Sequence, residues 1–181
     1  MSNNHYPEIT IKAVLLGIVL SMVLAGANAY LGLFAGMTVS ASIPAAVISM
    51  GVLALFKKSN ILENNIVQTA ASAGESLAAG VIFTIPALIL MGHWSDFSFA
   101  KHYWTITGIA ALGGLLGVLF TIPLRRALIV EEQLQFPEGI ATAEVLKSKE
   151  SGAKGLKILI HAVLIGGMFK FAAEGLRLWG G

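Results

Sequence analysis

At 181 residues, 56% of them hydrophobic and only 12% charged, the chain is too apolar for an ordinary soluble domain and reads as an integral membrane protein. Its formal net charge of +2 comes from basic residues scattered between apolar runs, with no basic face, so no nucleic acid is expected as a partner. Cysteine is absent and the four histidines (His5, His93, His102 and His161) lack ligand spacing, so neither a metal site nor any other cofactor is expected.

Residues 1–12 are polar, and the run from Ala13 to Phe56 then holds 44 residues without a charge. One bilayer crossing needs about 20 residues, so this run predicts two spans, at 12–32 and 38–56. The glycine-flanked segment GLFAGMT is the expected hairpin between them. Ala27-Asn28-Ala29 resembles a signal-peptidase site, but apolar character continues beyond it, as a retained hairpin requires.

A third span is expected at 65–91, and it carries one acid, Glu75, inside a patch of Ser, Ala and Gly. At 1.5 Å per residue Glu75 lies about 15 Å beyond Asn65, near the middle of a hydrocarbon layer about 30 Å thick. An ionised acid at that depth costs roughly 2.5 kcal/mol or more, so it should face protein or water. There it can take and release a proton, and Glu75 is the candidate coupling group. The alternative is a protonated acid bonded to a neighbouring span. Gln68, Thr69, Ser72 and Ser76 supply donors and acceptors on adjacent turns, and Gly74 and Gly80 allow the helix to be broken. With Asn28 and Tyr30 of the first span, Gln68, Thr69, Ser72, Gly74 and Ser76 form the candidate substrate pathway. Ordinary small-residue packing, with Ser and Thr bonded to their own helix, accounts for the same residues equally well.

GHWSDFSFAKHYW suits an interfacial loop, and a fourth span is expected at 102–124, with Gly113 and Gly117 at a helix-packing spacing. The segment 125–154 is too charged to cross the bilayer and is expected on the cytoplasmic side. Within it Pro137-Glu138 predicts the first turn of a short helix ending near Ser148. Glu131, Glu132 and Glu138 read as solvated or capping acids. A fifth span is expected at 155–179, with Lys170 and Glu174 as a local pair near the outer surface and His161 as a packed residue. Nine Lys and Arg fall on the inner segments and only Lys101 on an outer loop, which predicts a cytoplasmic N-terminus. Ser42-Ile43-Pro44, Thr84-Ile85-Pro86 and Thr121-Ile122-Pro123 recur in three of the expected spans, an echo that repeated helical hairpins would leave. The expected class is an all-α polytopic membrane protein with about five transmembrane helices.

Three long blocks, NAYLGLFAGMTVSASIPAAV (28–47), ENNIVQTAASAGESLAAGVIFTIPAL (63–88) and EEQLQFPEGIATAEVL (131–146), with a weaker FKFAAEGLRLW (169–179), resemble the N-terminal part of the oligopeptide transporter family. That family includes the yellow-stripe-like metal-chelate carriers, and the likeness is to its bacterial branch. The resemblance implies a secondary transporter, proton-coupled in characterised branches, importing small oligopeptides or metal-chelate complexes across the bacterial inner membrane. Its partners would be the bilayer, protons, the peptide or chelate substrate, and the remaining spans of a longer transporter or further copies. Two departures stand out: Gln135 occupies a place where relatives often have proline, and the family continues well beyond five spans, so the chain is expected to be a portion of a longer protein. The alternative is a non-transporting membrane subunit or packing scaffold. No nucleophile constellation or phosphate loop supports an enzyme.

Overall fold

A computed structural model describes residues 9–56, 59–94, 98–148, 161, 164–169 and 171–176. Among them there is no strand, and three helices are long and apolar enough to cross a membrane. The protein is an all-α polytopic membrane protein. Nearly half of the expected fifth span lies outside the described residues, as do Lys170 and the side chain of Glu174.

Helix α1 (Ile11–Ala35) starts at Thr10, whose Oγ1 accepts from the Ala13 N–H. It ends at Gly36, which takes the left-handed conformation (φ +69°) that a helix C-cap favours and a side chain would resist. Residues 37–41 are not helical, and α2 (Ser42–Leu53) begins only at Ser42. The expected second span is therefore a half-helix. Twelve residues rise about 18 Å, too short for a layer of about 30 Å. Two features hold the break in place. Asn28, buried on α1, donates from Nδ2 to the Val39 carbonyl (2.8 Å), and its Oδ1 accepts from the Val39 N–H (3.0 Å). One side chain thus satisfies both backbone groups that a helix would otherwise have paired. Pro44 then sits in the first turn of α2, where its missing N–H costs nothing.

Helix α3 (Ile61–Leu90) opens with a capping box: the Asn60 side chain accepts from the Glu63 N–H (2.8 Å), and Glu63 Oε2 accepts from the Asn60 N–H (3.2 Å). It runs unbroken through Gly74 and Gly80, against the expected interruption. Gly74 is instead a packing residue. A Cβ there would run into Ser21 of α1, one at Gly17 would approach the Ala70 Cβ to 2.9 Å, and one at Gly32 would meet Ile82. Residues 17, 21 and 32 thus meet 70, 74 and 82 in order, so α1 and α3 lie parallel along a small-residue seam. Ala13, Leu20, Val67 and Ala71 are buried along it, joined by Ala45 and Leu53 of α2.

Helix α4 (Phe99–Arg125) passes into a π-helical turn, Arg126–Glu131, and α5 (Pro137–Ser148) follows with the start and end that the Pro-Glu pattern predicts. Leu77 of α3 packs beside Gly114, while Leu112, Leu115, Leu116 and Phe120 of α4 are exposed.

The expected echo changes character. Pro44 lies at a helix start, whereas Pro86 and Pro123 lie near helix ends. The latter two belong to a longer match, GVIFTIP at 80–86 and GVLFTIP at 117–123, which differs only at Ile82 and Leu119. Both copies use it alike: Thr84 donates to the Gly80 carbonyl (2.6 Å) and Thr121 to the Gly117 carbonyl (2.8 Å).

Candidate functional site

On α3, Asn65, Gln68, Ser72 and Glu75 recur at i, i+3, i+7 and i+10, which sets them on one helical face. Val67, Ala70, Ala71 and Gly74 lie on the other side, toward α1. The polar stripe faces two shorter elements. Ser42, the first residue of α2, has its Oγ 3.1 Å from Ser72 Oγ, and Gln68 Nε2 donates to the same Ser72 oxygen at 3.1 Å. Ser72 is eleven residues into α3, so α2 begins about 17 Å along a helix about 45 Å long. The N-terminal end of α2, with its partial positive charge, therefore opens part-way along α3, and its Ala41 cap makes no side-chain bond.

Helix α5 supplies the third wall. Glu138, Thr142 and Leu146 recur every four residues along one face, and with Phe136, Pro137, Gly139, Ala143, Ser42, Asn65 and Gln68 they line a cleft of about 760 Å³. Ser40 donates a hydrogen bond to Glu138 Oε1, tying the start of α5 to the link before α2. Thr142 is only 6% exposed, and its hydroxyl has no hydrogen-bond partner among the described residues. The part of segment 125–154 that was expected to be solvated is thus folded back against α2 and α3.

Of the residues singled out from sequence, Gln68 lines this cleft and Ser72 joins it to α2. Glu75 continues the stripe one turn further on, half-buried and without a hydrogen bond or ion pair among the described residues. Thr69 and Ser76 are exposed, the Thr69 hydroxyl reaching only Gln68 Oε1 (3.4 Å). Gly74 faces Ser21, away from the cleft. Asn28 is engaged with Val39 and lines a separate pocket of about 130 Å³. Tyr30 is exposed and stacked on Phe34, with ring centroids 5.9 Å apart.

The sequence pattern marks Glu138 only as a solvated or capping acid and does not distinguish Glu63. Both have partners far away in the sequence. Glu63 is 1% exposed; its Oε1 accepts from Thr10 (2.7 Å) and stands 3.1 Å from Lys12 Nζ. The available signal was the FPEG segment, where an acid follows a helix-starting proline next to an aromatic.

The profile of the family described as OPT oligopeptide transporter protein matches residues 8–179. The chain belongs to the oligopeptide transporter family. It is 51% identical over 151 residues to an oligopeptide-transporter relative of Haemophilus influenzae, covering 82% of this chain and 23% of that protein. A second relative, YGL114W of Saccharomyces cerevisiae, is 30% identical over 164 residues (77% of this chain, 21% of the relative). The metal-nicotianamine transporter YSL3 of Arabidopsis thaliana is 26% identical over 156 residues (75% and 23%). The chain spans less than a quarter of the length of these curated relatives. No solved structure matches it. Within the oligopeptide transporter family, then, the cleft, the half-helix and the polar stripe all lie in the matched region.

Proposed function

We propose that this chain forms part of the translocation pathway of a secondary transporter that imports small oligopeptides or metal-chelate complexes across the bacterial inner membrane, coupled to protons, with its N-terminus cytoplasmic. The observation that carries this reading is the cleft itself. A half-helix begins part-way through the layer, facing a polar stripe on a full-length helix, and irregular backbone at that depth is tolerated where it is buried in protein or lines a cavity. No catalytic step enters this reading. Among the described residues no three His, Asp or Glu side chains come together to hold a metal, so a metal would enter with its chelator and be recognised through it.

Glu75 is the coupling group in this reading. It shares a face with Gln68 and Ser72, and it lies about 21 Å along α3, near mid-depth. With the protein at its full natural length in proteoliposomes, Glu75→Gln should leave membrane insertion intact and abolish the dependence of uptake on an imposed pH gradient. Uptake that keeps its full pH dependence in this variant refutes the assignment.

A further inference from the structure

We propose that the cleft binds a primary ammonium group of the substrate, with Glu138 as its counter-charge. The proposal rests on the transporter reading and goes beyond it by naming the chemical group that this site selects.

Among the described residues that line the cleft, Glu138 carries the only charge. A carboxylate or phosphate on a ligand would approach it as a like charge, whereas a cation is drawn in. Glu138 Oε1 accepts from Ser40, while Oε2 is engaged by no described residue. One turn along the same face of α5 lies Thr142, a buried hydroxyl with no partner among the described residues. A buried polar atom left unpaired is costly, and a ligand donor relieves that cost. Asn65 and Gln68, on the facing wall, add amide carbonyls. Gln68 turns its amide nitrogen toward Ser72, which leaves its oxygen with no better donor than Thr69 at 3.4 Å.

The side chains that line the cleft are therefore rich in acceptors around one negative charge. An ammonium group presents three donors and one positive charge, and it matches that set. Bare Ca2+ or Mg2+ does not, because each takes six or more oxygen ligands, and Zn2+ does not, because it favours His and Cys ligands that the described lining lacks. Phe136, Pro137, Ala143 and Leu146 line the cleft beside Glu138 and offer an apolar surface to whatever carries the amine. Ser40 holds the carboxylate in place, so less ordering remains to be done on binding.

The group can come from a peptide N-terminus or from a lysine side chain, and the test separates them. Uptake of radiolabelled tetra-alanine into proteoliposomes holding the full-length protein is competed with unlabelled tetra-alanine, N-acetyl-tetra-alanine and N-acetyl-Ala-Ala-Lys-Ala. Acetylation is expected to weaken competition about tenfold or more, the usual worth of one charge-assisted hydrogen bond. Recovery by the lysine peptide assigns the site to side-chain amines, and no recovery assigns it to the N-terminus. In Glu138→Gln the ratio between free and acetylated peptide should fall to about one, while Glu138→Asp keeps part of it. Equal competition by free and acetylated peptides in the unaltered protein, which needs no variant to fold, overturns the proposal and leaves transport standing. A ratio that survives Glu138→Gln also overturns it. Absence of uptake of tetra-alanine and of every competitor overturns the peptide-transport reading and the proposal together.

Discussion

Lys12 Nζ stands 3.1 Å from Glu63 Oε1, and this pair joins the first turn of α1 to the first turn of α3. The same carboxylate accepts from Thr10 and from the Asn60 backbone, so one buried acid closes a capping box and bridges two helices. Its burial is tolerable because its charge is matched and both oxygens have donors.

Removing Glu63 should therefore cost more than a surface ion pair would. Glu63→Ala removes the carboxylate that Thr10 and Lys12 share and strips the α3 cap, and a loss of roughly 3 kcal/mol is expected. Thermal unfolding of the purified protein in detergent reads this directly. A change below about 1 kcal/mol would show that the pair behaves as an exposed one.

Asn28 offers a second test. Replacing it with Leu keeps the approximate volume but leaves the Val39 N–H and carbonyl unpaired, at an expected cost of about 2–3 kcal/mol. Residues 37–41 should loosen before the helices do. A cysteine placed at Ser40 should then react faster with a thiol reagent in the Asn28→Leu background than with Asn28 intact. Equal labelling rates would count against the clasp.

The two glycines of α3 should behave in opposite ways. At Gly74 any added carbon meets Ser21, so Gly74→Val should separate α1 from α3 and destabilise the protein by about 1–3 kcal/mol. At Gly80 nothing lies within 4 Å of the added carbon, and Gly80→Ala should be neutral or stabilising by up to about 1 kcal/mol. Melting curves for the pair decide the matter, and similar losses in both would mean that the seam does not run through Gly74.

The long apolar runs were legible because a bilayer imposes length and composition on whatever crosses it. The apolar runs that became α1, α3 and α4, and the Pro137 start of α5, could be read from local pattern alone. The half-helix could not. Its late start depends on Asn28 reaching Val39, and a polar residue in a hydrophobic run looks the same whether it faces a pathway or holds a non-helical link. Glu138 was hidden for a related reason. An acid after a helix-starting proline is a good cap, and only the return of α5 against α2 and α3 shows that it also looks into a cleft. Glu75 stood out because it is alone at mid-depth, and its alignment with Gln68 and Ser72 follows from helical spacing. The GVIFTIP and GVLFTIP copies were visible to inspection, but the three-residue echo drew in Pro44, which belongs to a different kind of site.

The parallel seam between α1 and α3 also sets an order in time. Lys12 and Glu63 are 51 residues apart in a chain that emerges from its N-terminus. At roughly 5–20 residues per second, α1 waits about 3–10 s before its partner has even been synthesised. During that interval Gly17, Ser21 and Gly32 have no Ala70, Gly74 or Ile82 to meet. The first helix thus enters the membrane with an unfilled groove along one side, and α2, too short to cross by itself, joins a stable arrangement only when α3 arrives to cover both.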